Sequence, residues 1–305
     1  MKIRYWFVYL CIIIFCFCVW GIPINAVERN QYVCTACLHK QELNPVQKSI
    51  SDVDMYANIM ECVDFSEMTQ YLKIRYDITL CEEVYTYTFE SIRETVAGIE
   101  YVMQLYPTIQ KSITQMTMYD TDDWIAAMSV SGVIYFSDTY YSLAYTEFAD
   151  KIAQWSDSDV KWHPDNCDSM FSYGMHEAFH FLIVAQMENE GYNAYQILYG
   201  WDTIVYRRAQ QIVQQCAIGR NLTKAIAAIS EYATVDYMET ISEAMCDYVI
   251  NGTESAWLSQ KIGRHFTNKF GVSEYVFKTG VYKTPVFCVG CKLLCGVFCL
   301  RYGHK

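Results

Sequence analysis

Charged side chains are scarce in this sequence: 19% of 305 residues, against 52% hydrophobic and 16% aromatic. The shortage excludes a disordered polyampholyte, because disorder needs low hydrophobicity and high charge. Basic side chains are the scarcer sign, 23 against 34 acidic ones, for a formal charge of −11. With a pI near 5.0, neither nucleic acid nor an anionic membrane surface fits as the main partner. Internal repeats and low-complexity segments are missing, so the length points to one large domain or two small ones around a sizeable core. The leading apolar run, Tyr5 to Trp20, counts sixteen residues, fewer than the roughly 20 that span a bilayer comfortably.

What is there begins with a compartment. Lys2 and Arg4 precede that run, and Gly-Ile-Pro-Ile-Asn-Ala follows it at residues 21–26. The pattern reads as a signal peptide cut after Ala26, with Gly21 as the second choice; an uncleaved membrane anchor is the alternative. Its removal leaves 21 basic against 34 acidic side chains, a charge of −13, and eleven of the fourteen cysteines. Eleven is odd, so at least one thiol stays free or pairs with another chain. In an oxidising compartment Cys34, Cys37, Cys62, Cys81, Cys288, Cys291, Cys295 and Cys299 read as disulfide candidates rather than a zinc ribbon. A bridge between Cys167 and Cys246 and a buried inert thiol at Cys246 are equal alternatives. The sequons at Asn221 and Asn251 fit the same secretory route.

Along the chain, Leu72, Ile74, Tyr76, Ile78 and Leu80 alternate with polar residues, which is strand periodicity. Ile92, Val96, Ile99, Val102 and Tyr106 recur at helical spacing until Pro107. Residues 113–119 and 132–136 read as short strands, and 155–167 as a loop. Helices follow over 168–190, 193–219 with a bend at Gly200, from 223, and 237–250. Strands first and helices after suggest an α+β fold.

The long helix contains His176-Glu177-Ala178-Phe179-His180. Two His at i and i+4 share a helix face one turn apart. That spacing lets both imidazoles reach one Zn²⁺, with Glu177 beside them to take a proton from an activated water. A catalytic zinc needs one more protein ligand. Ile183 and Gln186 stand where a metzincin carries Gly and His, which excludes that class.

The segment 241–249 supplies a Glu-Ala-x-x-Asp core at Glu243 to Asp247. It resembles the glutamate helix of gluzincins, the thermolysin-like zinc peptidases, and the likeness spans about residues 85–250. The resemblance implies a zincin-like α+β fold: a small N-terminal sheet lobe with helices, a mainly helical C-terminal lobe, and the motif helix between them. It implies Glu243 as third ligand and Asp247 as the carboxylate that orients His176, with Glu239 and Asp202 as competing ligands. An edge strand bordering the cleft is also implied, for which Val133-Ile134-Tyr135-Phe136 is the candidate. The oxyanion-stabilising residue has no clear match; His265 and Tyr237 are the candidates carried forward, ahead of Tyr232 and Tyr275. His163, His39 and His304 read as ordinary surface or packing residues.

Together these readings expect a secreted hydrolase with one catalytic Zn²⁺ and a peptide or protein substrate. Membrane attachment through either end is the less favoured alternative. The rival is an inactive, disulfide-rich binding protein on the same scaffold. The expected division is a leader over 1–26, a Cys-containing segment over 27–84, the peptidase domain over 85–284 and an apolar Cys-rich tail over 285–305.

Overall fold

The structure is a computed structural model and describes residues 59–119, 127–130, 132–156 and 160–272. The chain divides into units 1–47 and 48–305, and every described residue belongs to the second. The expected leader and tail, and the cysteines at 34, 37, 288, 291, 295 and 299, lie outside the described residues, as do Tyr275, His39 and His304.

The first helix, α1 (Phe65–Tyr76), occupies most of the stretch whose alternation predicts a strand. Asp64 caps it by accepting from Glu67 N–H at 2.9 Å, satisfying one of the free donors of the first turn. Met68, Tyr71 and Leu72 are its buried residues, a set spaced for a helix and not for a strand. Ile74, one member of the alternation, faces solvent. Only Thr79–Leu80 remains extended, as β1. The helix stops at Asp77, whose left-handed φ of 57° lets its N–H reach the last carbonyls.

Strands β2 (Gln115–Tyr119) and β4 (Val133–Ser137) form where expected, with β3 (Ala127–Val130) between them in sequence. The sheet order is β1-β2-β4-β3. β1, β2 and β4 run parallel, whereas β3 pairs antiparallel with β4 through Ala127↔Phe136 and Val130↔Val133. The edge strand is therefore β3. Val133–Phe136, the expected edge, lies inside the sheet with ladders on both sides, and Ile134 and Phe136 are fully buried. β1, which precedes residue 84, pairs with β2, which follows it.

Helices make up the rest, so the fold is a mixed α+β one in which helix dominates. α2 (Phe89–Leu105) precedes the sheet proper, and α3 (Asp138–Tyr141) and α4 (Tyr145–Ser156) follow it. They occupy the interval between the sheet and the histidine motif. After a loop come α5 (Met170–Phe179) and α6 (Phe181–Asn189). His180 joins these two with helical dihedrals, φ −56° and ψ −29°. α7 (Ala194–Tyr199) and α8 (Tyr206–Cys216) are separated by a π-turn over Trp201–Val205, which realises the bend expected at Gly200. α9 (Leu222–Ala227), α10 (Tyr237–Asn251) and α11 (Trp257–Phe270) complete the described chain. Among the described residues no helix is long and apolar enough to cross a membrane.

Helix α5 is the hub. It crosses α2 so closely that a Cβ on Gly174 would lie 1.8 Å from Thr95 O, and one on Gly98 1.9 Å from Phe171 O. Only glycine allows backbones to approach this far. On another side α5 packs against α10, which in turn packs against α11.

Candidate metal centre

Ser169 starts α5 with a capping box: its hydroxyl accepts from Ser172 N–H at 3.2 Å, and Ser172 Oγ accepts from Ser169 N–H at 3.0 Å. This fixes the first turn, and the next two turns carry His176, Glu177 and His180, all buried. The imidazoles of His176 and His180 lie edge to face with ring centroids 4.9 Å apart.

The second wall is α10. Asp236 caps it by accepting from Met238 N–H at 2.6 Å and Glu239 N–H at 2.9 Å. Glu239 therefore sits in the first turn, where the helix dipole favours a carboxylate. Its Oε2 lies 2.9 Å from His176 Nε2 and 3.6 Å from His180 Nε2. His176, His180 and Glu239 form a group able to hold a metal ion, their donor atoms within 4.8 Å of one another. A tetrahedral ion bonded at roughly 2.1 Å needs donors about 3.4 Å apart, so modest adjustments admit one.

Glu243, expected as third ligand, stands one turn further along and behind His176. Its Oε1 lies 2.8 Å from His176 Nδ1, an ion-pair distance out of line with the ring N–H. The same oxygen accepts from His163 Nδ1–H at 3.1 Å, and Oε2 accepts from Ser230 Oγ–H at 2.8 Å. Asp247, expected behind His176, accepts instead from Asn251 Nδ2–H at 2.9 Å and from Ala256 N–H at 2.8 Å. It ties the end of α10 to the start of α11.

The carboxylate nearest both Nε2 atoms is thus that of Glu239, one helical turn before Glu243, and the one behind His176 is that of Glu243, one turn before Asp247. The cause is the antiparallel register of α10 on α5. Cys246 Sγ sits 3.8 Å from Ser172 O, Glu243 faces His176, and Ser242 Oγ is 3.0 Å from His180 Nδ1. Asp247 therefore lies beyond the motif. Of the other alternative ligands, Asp202 falls in the π-turn between α7 and α8.

Each motif imidazole thus has a carboxylate or hydroxyl close to its Nδ1, Glu243 off axis at His176 and Ser242 hydrogen-bonded at His180, leaving Nε2 for the shared side. Electrostatics agree. Burial pushes the His176 imidazolium down, yet the carboxylates of Glu239 and Glu243, one toward each ring nitrogen, hold its pKa well above the usual histidine value. Burial also opposes ionisation of Glu243, but the imidazoles of His163 and His176 bring its carboxyl down to about 2. Burial lowers the pKa of His180, favouring the neutral form that ligates. A cation would replace the positive charge that the two carboxylates already induce on His176.

Beside the motif lies a cavity of about 350 Å³, lined by His176, Glu177, Glu243 and a largely aromatic wall. Tyr140, Trp155, Trp162, Tyr173 and Tyr232 belong to that wall, and Ala127 brings the edge strand β3 to it. Tyr232 lies with its ring 5.8 Å from that of His176. Burial first, then the nearby carboxylates of Glu239, Glu177 and Glu243, raise the pKa of its phenol, so it stays protonated.

The residues carried forward as oxyanion stabilisers lie elsewhere. His265 is on α11, 3.2 Å from Gln186 Oε1, and Tyr237 packs its ring 5.8 Å from Tyr206; neither lines the cavity. Tyr232, the other described candidate, does line it, carried there by the turn before α10. His163 and Ser230 also escape the sequence reading, because both reach the site from loops. The one available signal is Trp162-His163-Pro164, a histidine stiffened by proline just before the motif helix.

Cys62, Cys167, Cys216 and Cys246 are free thiols, and no disulfide joins any two of the described cysteines. Cys62 and Cys81 are buried, and Cys81 Sγ accepts from Gln115 Nε2–H at 3.0 Å. Of the two sequons, Asn221 is exposed and caps α9 with its Oδ1 on Lys224 N–H at 3.0 Å, leaving its amide nitrogen outward. Asn251 uses both amide hydrogens internally, toward Asp165 O and Asp247 Oδ1. A glycan there would cost one of these bonds. The chain matches no protein-family model, no curated protein and no solved structure.

Proposed function

We propose that this protein is a zinc metallopeptidase with a gluzincin-type, zincin-like arrangement of its motif helix and glutamate helix, acting after secretion. The observation that carries the reading is the convergence of His176 Nε2, His180 Nε2 and Glu239 Oε2 beside Glu177 at the wall of an aromatic cavity. A borderline N₂O donor set with an open side suits zinc. His176, His180 and Glu239 would hold it, and bound there it would supply a Lewis acid for the scissile carbonyl and lower the pKa of water.

The protein's own side chains do the rest. Glu177 is buried and borders the cavity, so its carboxylate takes the proton from the attacking water and returns it to the leaving amine. The Tyr232 phenol, kept protonated, donates to the oxygen on which negative charge develops. Glu243 and Ser242 hold the imidazoles in place. The outer edge of β3, the last strand in the sheet order, would offer backbone groups to an extended peptide, and the cavity would take an apolar side chain.

Zinc content and cleavage of a peptide library, measured for wild type and Glu177→Gln, test this. Wild type should carry about one zinc and cleave. Glu177→Gln should keep the zinc and lose at least about a thousandfold in kcat, since it removes both proton transfers. Equal silence of the two zinc-loaded proteins would leave a binding protein as the better description.

A further inference from the structure

We propose that His163 is a positioning residue for the metal centre: it holds Glu243 in the orientation that in turn fixes the ring of His176. The inference deepens the metal reading above and rests on it. His163 lies on none of the helices that carry the cluster. It projects from the loop over 160–167, which is fastened at both ends. Glu231 N–H donates to Lys161 O at 2.7 Å and Tyr232 N–H to Trp162 O at 3.2 Å. Beyond the histidine, Asn251 Nδ2–H donates to Asp165 O and Asn166 Nδ2–H to Asn251 Oδ1, both at 2.7 Å.

Between these fastenings the imidazole is packed against two aromatic rings and bonded at both nitrogens. Its ring lies 5.1 Å from that of Tyr173 and 5.5 Å from that of Tyr232. Since Glu243 Oε1 can only accept, Nδ1–H of His163 is the donor at 3.1 Å. Nε2 then accepts from the Tyr173 hydroxyl at 3.0 Å. A directed chain results, from Tyr173 through His163 to Glu243, ending against His176 Nδ1.

The geometry assigns a specific task to this chain. Glu243 Oε1 is shared between His163 and His176, and the His176 contact is out of line with the ring N–H. The well-directed bonds that set the carboxylate plane are therefore those from His163 and Ser230. Removing the first leaves Oε1 with only the off-axis contact, so the carboxylate can turn and His176 loses its rotational reference. Partners that contact a ligand directly, as Glu243 does, change metal affinity by roughly 10–100-fold, and loss of the His163 bond, one contact further out, should reach the low end of that range.

The competing role is that the ring simply fills the cavity wall, and two substitutions separate the roles. His163→Leu keeps bulk without a donor. His163→Asn places an amide N–H near the position of Nδ1 and restores the bond to Glu243 while giving up bulk. Zn²⁺ affinity of the full-length chain, read by competition with a chromophoric chelator, should fall about tenfold or more in His163→Leu. In His163→Asn it should stay within about threefold of wild type. At saturating Zn²⁺, His163→Leu should recover most of the wild-type kcat, because the histidine reaches the ion only through Glu243 and His176; a change in KM would report its place in the cavity wall. Tight Zn²⁺ binding by wild type with undiminished binding by His163→Leu would overturn the positioning role alone. Equal weakening in both variants, tracking their melting temperatures, would also overturn it in favour of wall filling. A wild-type chain that binds no Zn²⁺ would remove the metal reading and this inference with it.

Discussion

Two buried glutamates, Glu100 on α2 and Glu243 on α10, are about equally removed from solvent, at 3% and 1% exposure, yet their surroundings differ in kind. Glu100 is enclosed by hydroxyl and amide donors. Ile59 N–H donates to its Oε2 at 2.9 Å, and the phenols of Tyr71 and Tyr76 both donate to Oε1. Burial together with those hydrogen bonds raises the pKa of both phenols, so the donors stay neutral. Glu243 is enclosed mainly by the imidazoles of His163 and His176, and its neighbour Glu239 by those of His176 and His180. The first set is a closed knot that ties the N-terminal elements to the core. The second can exchange a proton for a cation. Burial of a carboxylate says little about its role; the chemistry of its donors decides.

Three substitutions sharpen the contrast. The largest effect should come from Glu100→Leu, which strands two phenols and a backbone N–H, at roughly 1–3 kcal/mol for each buried group. A loss of about 3–5 kcal/mol in denaturant unfolding is expected, with Zn²⁺ affinity of the folded chain unchanged. An affinity that falls in proportion would mean the two clusters are coupled. Next, Glu239→Gln should weaken Zn²⁺ binding by at least about a hundredfold, by removing an anionic ligand. The same change should cost the metal-free chain less stability than Glu100→Leu does. If Glu243→Gln instead gives the deeper loss of metal while Glu239→Gln is neutral, the one-turn shift is wrong. Smallest, Asp247→Asn should cost about 1 kcal/mol, the usual worth of a helix cap, and leave Zn²⁺ binding alone. A strong metal effect there would return Asp247 to His176.

How much of this was legible in the sequence depends on the range of the interactions involved. The motif helix, α2, the strands β2 and β4 and the bend at Gly200 all follow from local periodicity and breakers. The strand expected over 72–80 fails because the same residues satisfy two periods. Leu72 belongs both to an alternating series and to the helical set with Met68, and the cap at Asp64, outside that window, decides for the helix. The choice of third donor is ambiguous for a different reason. Glu239, Glu243 and Asp247 recur every turn on one face of α10, so spacing alone cannot say which pair meets the histidines. That depends on how far α10 slides along α5, a tertiary quantity. His163 and Ser230 arrive from loops, where no periodicity announces them, and Tyr232 is one candidate among several until the turn before α10 brings it to the cavity. The disulfides at Cys62 and Cys81 were inferred from compartment and not from proximity, and the two thiols stay apart.

The glycine crossing of α2 and α5 has a consequence for how the site can change over time. Gly174 precedes His176 by two residues, so its contact with Thr95 lies roughly opposite the donor face and acts as a mechanical stop behind it. A methyl group at Gly174 would sit 1.8 Å from Thr95 O where ordinary contact begins near 3.4 Å. One helix would have to retreat by about 1.5 Å, and displacements of about 1 Å already cost some hundredfold in reactivity. The alignment of His176 and His180 with Glu239 is therefore set from the far side of the helix, by an atom that is not there. Drift in the sequence can rebuild the cavity walls residue by residue, but this bearing surface admits no gradual substitution.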